Sequence, residues 1–361
     1  MLFRTNPFIR IKFQNPIVCE LLMDGKELLL PDIKYIYLIS ELGSWQEEKI
    51  VMEKIYSLFP NSDQAQKCFD NLHAHKIIVS EEEFKFYNLE GLKHWHKRNW
   101  LDALILHLKT KDMRYYDDKF QDVTISKNQK HDIFEEIISK EKKLELWKTY
   151  PQSLSFDLPL PKPLPEADLA EVLLKRRTGK PWTKEELEIG VLSDILFHVN
   201  KEGMEIRKRL ETAFSNVENL ENLLLSSFTA LETYLFVFKV NDLEPGLYHY
   251  NLQTHQLTLI KGGDFRNDIA KICIGQRMPK MSSCTFIITA VWERYMFRYR
   301  HSRAYRNLLV NVAELAHKYI IAATTYELST WLTPAFNDEY AEKILNVDGY
   351  EEAPLYAVSI G

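Results

Sequence analysis

The stretch FDLPLPKPLPEAD places Pro159, Pro161, Pro163 and Pro165 at every second position. Proline at alternate positions removes alternate backbone N–H donors and holds φ at about −65°, so neither a helix interior nor a central strand can pass through. The segment must be extended, polyproline-like chain, and it divides the sequence. We place the C-terminal domain at 159–361, an N-terminal module at 1–88 and a helical connecting region at 89–158.

Across its 361 residues the chain is 45% hydrophobic and 27% charged, ordinary globular usage that excludes wholesale disorder and collagen-like repeats. With 46 basic against 51 acidic residues, net −5, it has no global field to draw in nucleic acid or an anionic membrane, and neither partner is expected. Cys19, Cys68, Cys273 and Cys284 show no CxxC spacing and read as reduced, buried thiols, which points to the cytoplasm. Residues 1–20 mix Arg4, Arg10, Lys12 and Glu20 with apolar residues, unlike the apolar core of a signal peptide. No run of about 18 apolar residues occurs, so no membrane span is expected.

The N-terminal module reads as a strand near 17–23 and three helices. The first opens after Pro31 and Asp32, the second after Ser44 and the third after Ser62, with Gly43 and Pro60 as stops. A short β stretch, KIIVSEEEFKFYN, follows. Three helices with a small β-wing form a winged-helix arrangement. The third helix carries Asp63, Asp70 and only Lys67, which argues against reading duplex DNA. Docking an extended peptide along a strand edge suits the module better, with an interdomain packing role as the alternative.

Residues 90–150 read as amphipathic and helical. Beyond the prolines, LAEVLLKRRTGK is a helix ending in a basic turn. TKEELEIGVLSDILFHV is a helix with Thr183 and Glu186 at capping-box spacing. TYLFVFKV and CTFIITAV are apolar enough for buried strands, and the segment between them holds a hairpin with a Gly-Gly exit. RAYRNLLVNVAELAHKYIIAAT is apolar over most of its circumference, as a central or interface helix would be, and APLYAVSI reads as a terminal strand.

No GxGxxG, P-loop, GxSxG or HExxH motif is present, so the chemistry rests on weaker constellations. His73/His75 and His94/His96 are pairs two apart, which on a helix face different sides, and no carboxylate or thiolate sits at ligand spacing; no metal site is expected. The turn KRRTGKPW gathers Lys175, Arg176, Arg177 and Lys180 around Thr178, a composition suited to a nucleotide-type phosphate or, alternatively, to a solvated basic surface. In WERYMFRYRHSRAYR, Arg294, Arg298, Arg300, Arg303 and Arg306 interleave with aromatics. That pattern can stack on a planar ring, hold an anion or line a subunit interface.

RRTGKPW, then LETYLFVFKVNDLEPGLYHYNLQTHQLTLIKGGDFRNDIAKICIGQ, then TAVWERYMFRYRHSRAYR, then NVDGYEEAPLYAVSIG run in an order that resembles the nitroreductase superfamily, and within it the SagB-type dehydrogenases. The resemblance covers about residues 165–361; NWLDALILHLKTKD resembles the family's pre-domain region, and the N-terminal module resembles its leader-binding part. It implies an α+β, nitroreductase-like fold in which two chains, identical or not, enclose FMN at their interface. It also implies a function: an azoline ring in a ribosomally made precursor peptide loses a proton while a hydride passes to the flavin, giving a thiazole or oxazole, and oxygen reoxidises the flavin. The implied partners are the precursor peptide and a cyclodehydratase-type maturation enzyme.

By position, Arg176, Arg177, Thr178 and Lys180 match the family's Arg-Arg-Ser-x-Arg turn, implying contact with the FMN phosphate and flavin edge, and Arg303 joins the cofactor-binding set. Arg298 and Tyr299 stand where the family carries a catalytic Lys-Tyr pair; arginine keeps its proton, so Tyr299 is the residue able to move one. The family's Pro-Ser-x-Gly flavin loop is replaced by LLLSSFTA, leaving Ser226 and Ser227 as hydroxyl donors. Its Gly-His-x-x-Gln-Asn becomes Ala313, Glu314, His317 and Lys318, and its Gly-Leu-Gly becomes Glu327-Leu328-Ser329. These departures leave a second function open: a catalytically degenerate subunit that partners or scaffolds a maturation complex. A nitro- or quinone-reducing enzyme using NAD(P)H fits less well, because such proteins rarely carry a long peptide-docking segment.

Overall fold

The computed structural model describes residues 1–22, 26–85, 94–95, 97–111, 139, 144–182, 185–215 and 229–361. The chain separates into two compact units, Met1–Tyr115 and Tyr116–Gly361.

The first unit opens with β1 (Leu2–Thr5), β2 (Ile9–Lys12), β3 (Ile17–Leu21) and β4 (Lys26–Leu30). There follow α1 (Lys34–Glu41), β5 (Gln46–Glu47), α2 (Glu48–Leu58), α3 (Ser62–Ala74), β6 (Ile78–Ser80), α4 (Glu81–Lys85) and α5 (Leu101–Lys111). Strands β2, β3 and β4 form one antiparallel sheet, and β5, β1 and β6 another. Helix α3 buries Ala65, Cys68, Phe69 and Leu72, an i, i+3, i+4, i+7 stripe that closes the core with Phe3, Leu38, Val51 and Ile55. Its cap is Asn61 rather than Ser62: the Asn61 side chain accepts from the Asp63 and Gln64 amides. Helix α2 starts at Glu48, later than Ser44 suggests, because Gln46 and Glu47 pair with Phe3 and Leu2 first.

The second unit contains β7 (Ser155–Asp157), α6 (Leu169–Lys175), α7 (Ile189–Ser215), β8 (Leu231–Val237), β9 (Gly246–Asn251) and β10 (Gln256–Gly262). It continues through α8 (Arg266–Ile272), α9 (Met278–Met281), β11 (Cys284–Val291), α10 (Trp292–Met296), α11 (Ala304–Thr325), β12 (Thr330–Thr333), α12 (Asp338–Leu345) and β13 (Glu352–Ile360). The strands form one antiparallel sheet in the order β12-β13-β11-β8-β9-β10-β7, and with the helices this makes the unit α+β.

Side chains alternate across the sheet. Leu235, Val237, Phe286 and Ile288 enter one core with residues of α7 and α11, while Tyr234, Phe236 and Ile287 enter another with residues of α8 and α12. Burial on both faces is why β8 and β11 are nearly unbroken apolar runs. Helix α7 begins at Ile189, whose amide donates to Asn241 Oδ1 at 2.6 Å. Glu186 therefore precedes the helix, and Thr183 lies outside the described residues. The proline segment has no regular structure and is pinned by side chains: Ser193 donates to the Pro159 carbonyl at 2.6 Å, and Asp194 accepts from the Lys162 amide at 2.6 Å. All four cysteines are free and buried, and burial pushes the Cys273 thiol up to about 12. Among the described residues no helix is long and apolar enough to cross a membrane.

Candidate functional site

The basic turn lies at one end of α11. Asp168 caps α6, and Arg176 closes it in an extended conformation that turns the chain outward. Gly179 adopts φ +87°, which a side chain would strain, and carries the chain back to Pro181. Thr178 forms a parallel bridge with Thr330 at the start of β12, and Ser329 Oγ donates to the Pro181 carbonyl at 2.8 Å. Two segments matched separately to cofactor-facing motifs, 176–180 and 327–329, are thereby brought side by side. Arg176 is half-buried and donates to Thr178 Oγ1 at 3.3 Å. Arg177 and Lys180 are exposed and make no ion pair among the described residues, so their charges are available to an anion. Glu327, where the resemblance has glycine, holds φ +60°, a left-handed backbone conformation that favours glycine.

Arg298, Tyr299 and Arg303 lie at the other end. Arg303 directly precedes the first residue of α11, while Tyr326 directly follows its last. The helix has 22 residues, so at 1.5 Å per residue about 33 Å of helix lie between Arg303 and Tyr326. The two groups thus lie toward opposite ends of α11.

The Arg298 guanidinium lies 4.8 Å from the Tyr299 ring centroid, and Tyr299 packs on Tyr295 at 4.8 Å. Burial lowers the Arg298 pKa, opposed by Tyr299 and Tyr295, and its Nη1 is buried with no hydrogen-bond partner among the described residues. That nitrogen is a donor awaiting an acceptor. Ser226 and Ser227 lie outside the described residues; the described chain resumes at Thr229, and the Ala230 carbonyl accepts from the Val291 amide at 2.8 Å, at the entrance to α10.

Tyr299 lines a cavity of about 1400 Å³, which Trp292, Arg294, Arg300, Tyr305, Lys148 and Glu352 also line. Behind Arg294 lies a buried ion network. Glu232 accepts from Arg207 at 3.0 Å and from Arg294, and its other carboxylate oxygen lies 3.1 Å from His249 Nε2. Burial would raise the Glu232 pKa, but Arg207 and then Arg294 outweigh it, holding the carboxyl well below its ordinary value. A lone glutamate in the apolar strand LETYLFV is the sequence signal for this network; nothing local marks Lys148 or Glu352 as cavity residues.

Among the described residues the histidines of these pairs make separate contacts. His73 Nε2 lies 2.9 Å from Glu83, His94 contacts Arg98 at 3.1 Å, and His96 lies outside the described residues. Among the described residues no three His, Cys, Asp or Glu side chains cluster closely enough to hold a metal ion.

No protein-family model matches the chain. It is 33% identical over 278 residues to the trifolitoxin operon protein TfxC of Rhizobium leguminosarum bv. trifolii, covering 75% of this chain and 74% of that protein. MJ1384 of Methanocaldococcus jannaschii, assigned to the nitroreductases, is 26% identical over 196 residues, covering 54% of this chain and 91% of that protein. A solved structure from Anabaena variabilis, also assigned to the nitroreductases, is 21% identical with a TM-score of 0.48, covering 62% of this chain and 44% of that one. The chain thus belongs to the nitroreductase superfamily, in the family that includes TfxC.

Proposed function

We propose that this protein is an FMN-dependent dehydrogenase that converts azolines to azoles in a ribosomally made peptide in the cytoplasm. The observation that carries the reading is the junction of the basic turn with residues 327–330, made by the Thr178–Thr330 bridge and the Ser329–Pro181 bond. Stretches about 150 residues apart come together there, with Arg177 and Lys180 uncommitted, and suit a phosphomonoester. Arg176, Arg177, Lys180 and the Thr178 hydroxyl would hold the FMN phosphate. When bound, the flavin supplies a hydride acceptor.

The cleft is proposed to form between two chains. The separation along α11 supports this, and apolar side chains stand outward on the elements involved: Leu169, Leu173 and Leu174 on α6, Leu309 and Val310 on α11. In such a pair the turn of one chain would face Arg298 and Tyr299 of the other. There the unpartnered Arg298 Nη1 would anchor a carbonyl or ring acceptor, and the Tyr299 hydroxyl would move the proton.

The N-terminal unit is proposed to dock the precursor's leader segment. Strand β4 is one of the two outer strands of its sheet among the described residues, and Leu29, Ile33 and Tyr37 are exposed on it and at the start of α1. A cyclodehydratase-type enzyme would supply the azoline. The test is the purified protein's oxidation of an azoline-bearing peptide with FMN and oxygen, read as a mass loss of two hydrogens per ring; an unchanged mass would count against it.

Arg298 in place of a deprotonatable lysine, and a side chain on Glu327 where the resemblance has none, favour a second reading: a non-catalytic subunit serving an active paralogue. Co-purification with maturation enzymes would support it, and complete azoline oxidation by this chain alone would refute it.

A further inference from the structure

One wall of the cavity is built by residues 144–150, which form neither helix nor strand. Side-chain anchors fix this strap. The Glu145 carbonyl accepts from Arg294 Nε at 2.7 Å, Trp147 Nε1 donates to Glu211 at 3.3 Å, and the Tyr150 and Tyr234 hydroxyls share a 2.9 Å hydrogen bond. Lys148 pairs with Glu352 at the start of β13, 204 residues away in sequence. Its ammonium also lies 5.6 Å from the Tyr150 ring centroid and 5.4 Å from that of Tyr234. Both charges line the cavity, yet the Lys148 side chain is only 23% and the Glu352 side chain 7% exposed. Such a pair cannot swing away into solvent.

We infer that this strap is the substrate-reading wall of the cavity, with Lys148 and Glu352 presenting a fixed donor and acceptor to the main chain of an extended peptide. The inference rests on the peptide-maturation reading and adds where the peptide lies. An ammonium has three donors and a carboxylate about four acceptor sites; Glu352 also accepts from Thr289 Oγ1 and Lys148 also bonds Tyr150, and capacity still remains on both. A carbonyl oxygen and an amide hydrogen are the complementary pair that every peptide unit carries. At about 1400 Å³ the cavity exceeds the roughly 300–1,000 Å³ of a site for one small molecule, leaving room for several residues. Contact with the main chain would position peptides of differing side chains alike. Lys148 and Glu352 are positioning residues in this scheme.

The probe is a set of fluorescein-labelled hexapeptides built from Gly, Ser, Thr and Cys, each with a matched analogue whose central amide N–H is replaced by an ester oxygen. Affinities are read by anisotropy on the full chain, alongside an FMN titration. Wild type should bind the amide peptides about tenfold more tightly than their ester analogues, the loss expected for one hydrogen bond to a charged group. The double variant Lys148→Met/Glu352→Met removes both charges, leaving neither buried alone, and should lose the preference with melting temperature and FMN uptake retained. Lys148→Arg should retain part of it. The inference is overturned if the double variant keeps the wild-type preference, or if wild type takes up FMN and binds none of the peptides. Failure to take up FMN would instead strike the flavin reading, while an intact amide preference in the same sample would leave this inference standing.

Discussion

Arg303 and Tyr326 flank α11 at its two ends, and the helix between them holds the two halves of the candidate site apart. Exchange between chains tests this arrangement. Arg177→Ala and Tyr299→Phe should each lower azoline oxidation at least tenfold. Mixed after reversible dissociation, the two inactive proteins should recover about a quarter of wild-type activity, because half the dimers are hybrids carrying one intact site. Recovery near zero would place both halves in separate or single-chain sites.

The outward leucines and valine give a second outcome. Leu174 is 80% and Val310 63% exposed, so Leu174→Glu and Val310→Glu should leave each chain's own fold and melting temperature nearly unchanged. In a paired chain the new carboxylates would be desolvated. Sedimentation velocity should show monomer for the variants and dimer for wild type, with FMN retained only by the dimer.

Glu327 holds a left-handed backbone conformation at φ +60°. That conformation costs a residue with a side chain about 1–2 kcal/mol, partly offset by the greater unfolded-state freedom of glycine. Glu327→Gly should therefore stabilise the protein by about 0.5–1 kcal/mol, measured by urea denaturation.

The strand order's raw material was readable because β8 and β11 are apolar on both faces and the β9–β10 hairpin carries its own turn signals. The RRTGK turn was readable from charge density. What escaped was long-range: β5 takes Gln46 and Glu47 from the head of a helical pattern because β1 pairs with them, and Lys148 reaches the cavity through a partner 204 residues away. Neither has a local periodicity. The pairing of segments 176–180 and 327–330 was likewise invisible until the sheet set β12 beside the turn.

The Glu232 network predicts a pH dependence. Its folded carboxyl is held well below the ordinary 4.5, so its contribution is fully present above that value and is lost as pH falls below it toward the folded pKa. The urea midpoint should drop below about pH 4.5 in wild type and drop less steeply in Glu232→Gln. At neutral pH that variant should be about 3–5 kcal/mol less stable, since it leaves Arg207 and Arg294 buried and unpaired.

The most direct test is a visible-absorbance titration of the purified chain with FMN, beside Arg177→Ala/Lys180→Ala. The account predicts saturation at one FMN per chain and affinity at least tenfold weaker in the variant, whose melting temperature without flavin is unchanged because both side chains are exposed. A wild-type protein that takes up no flavin, or a variant that binds it as tightly, would contradict the account.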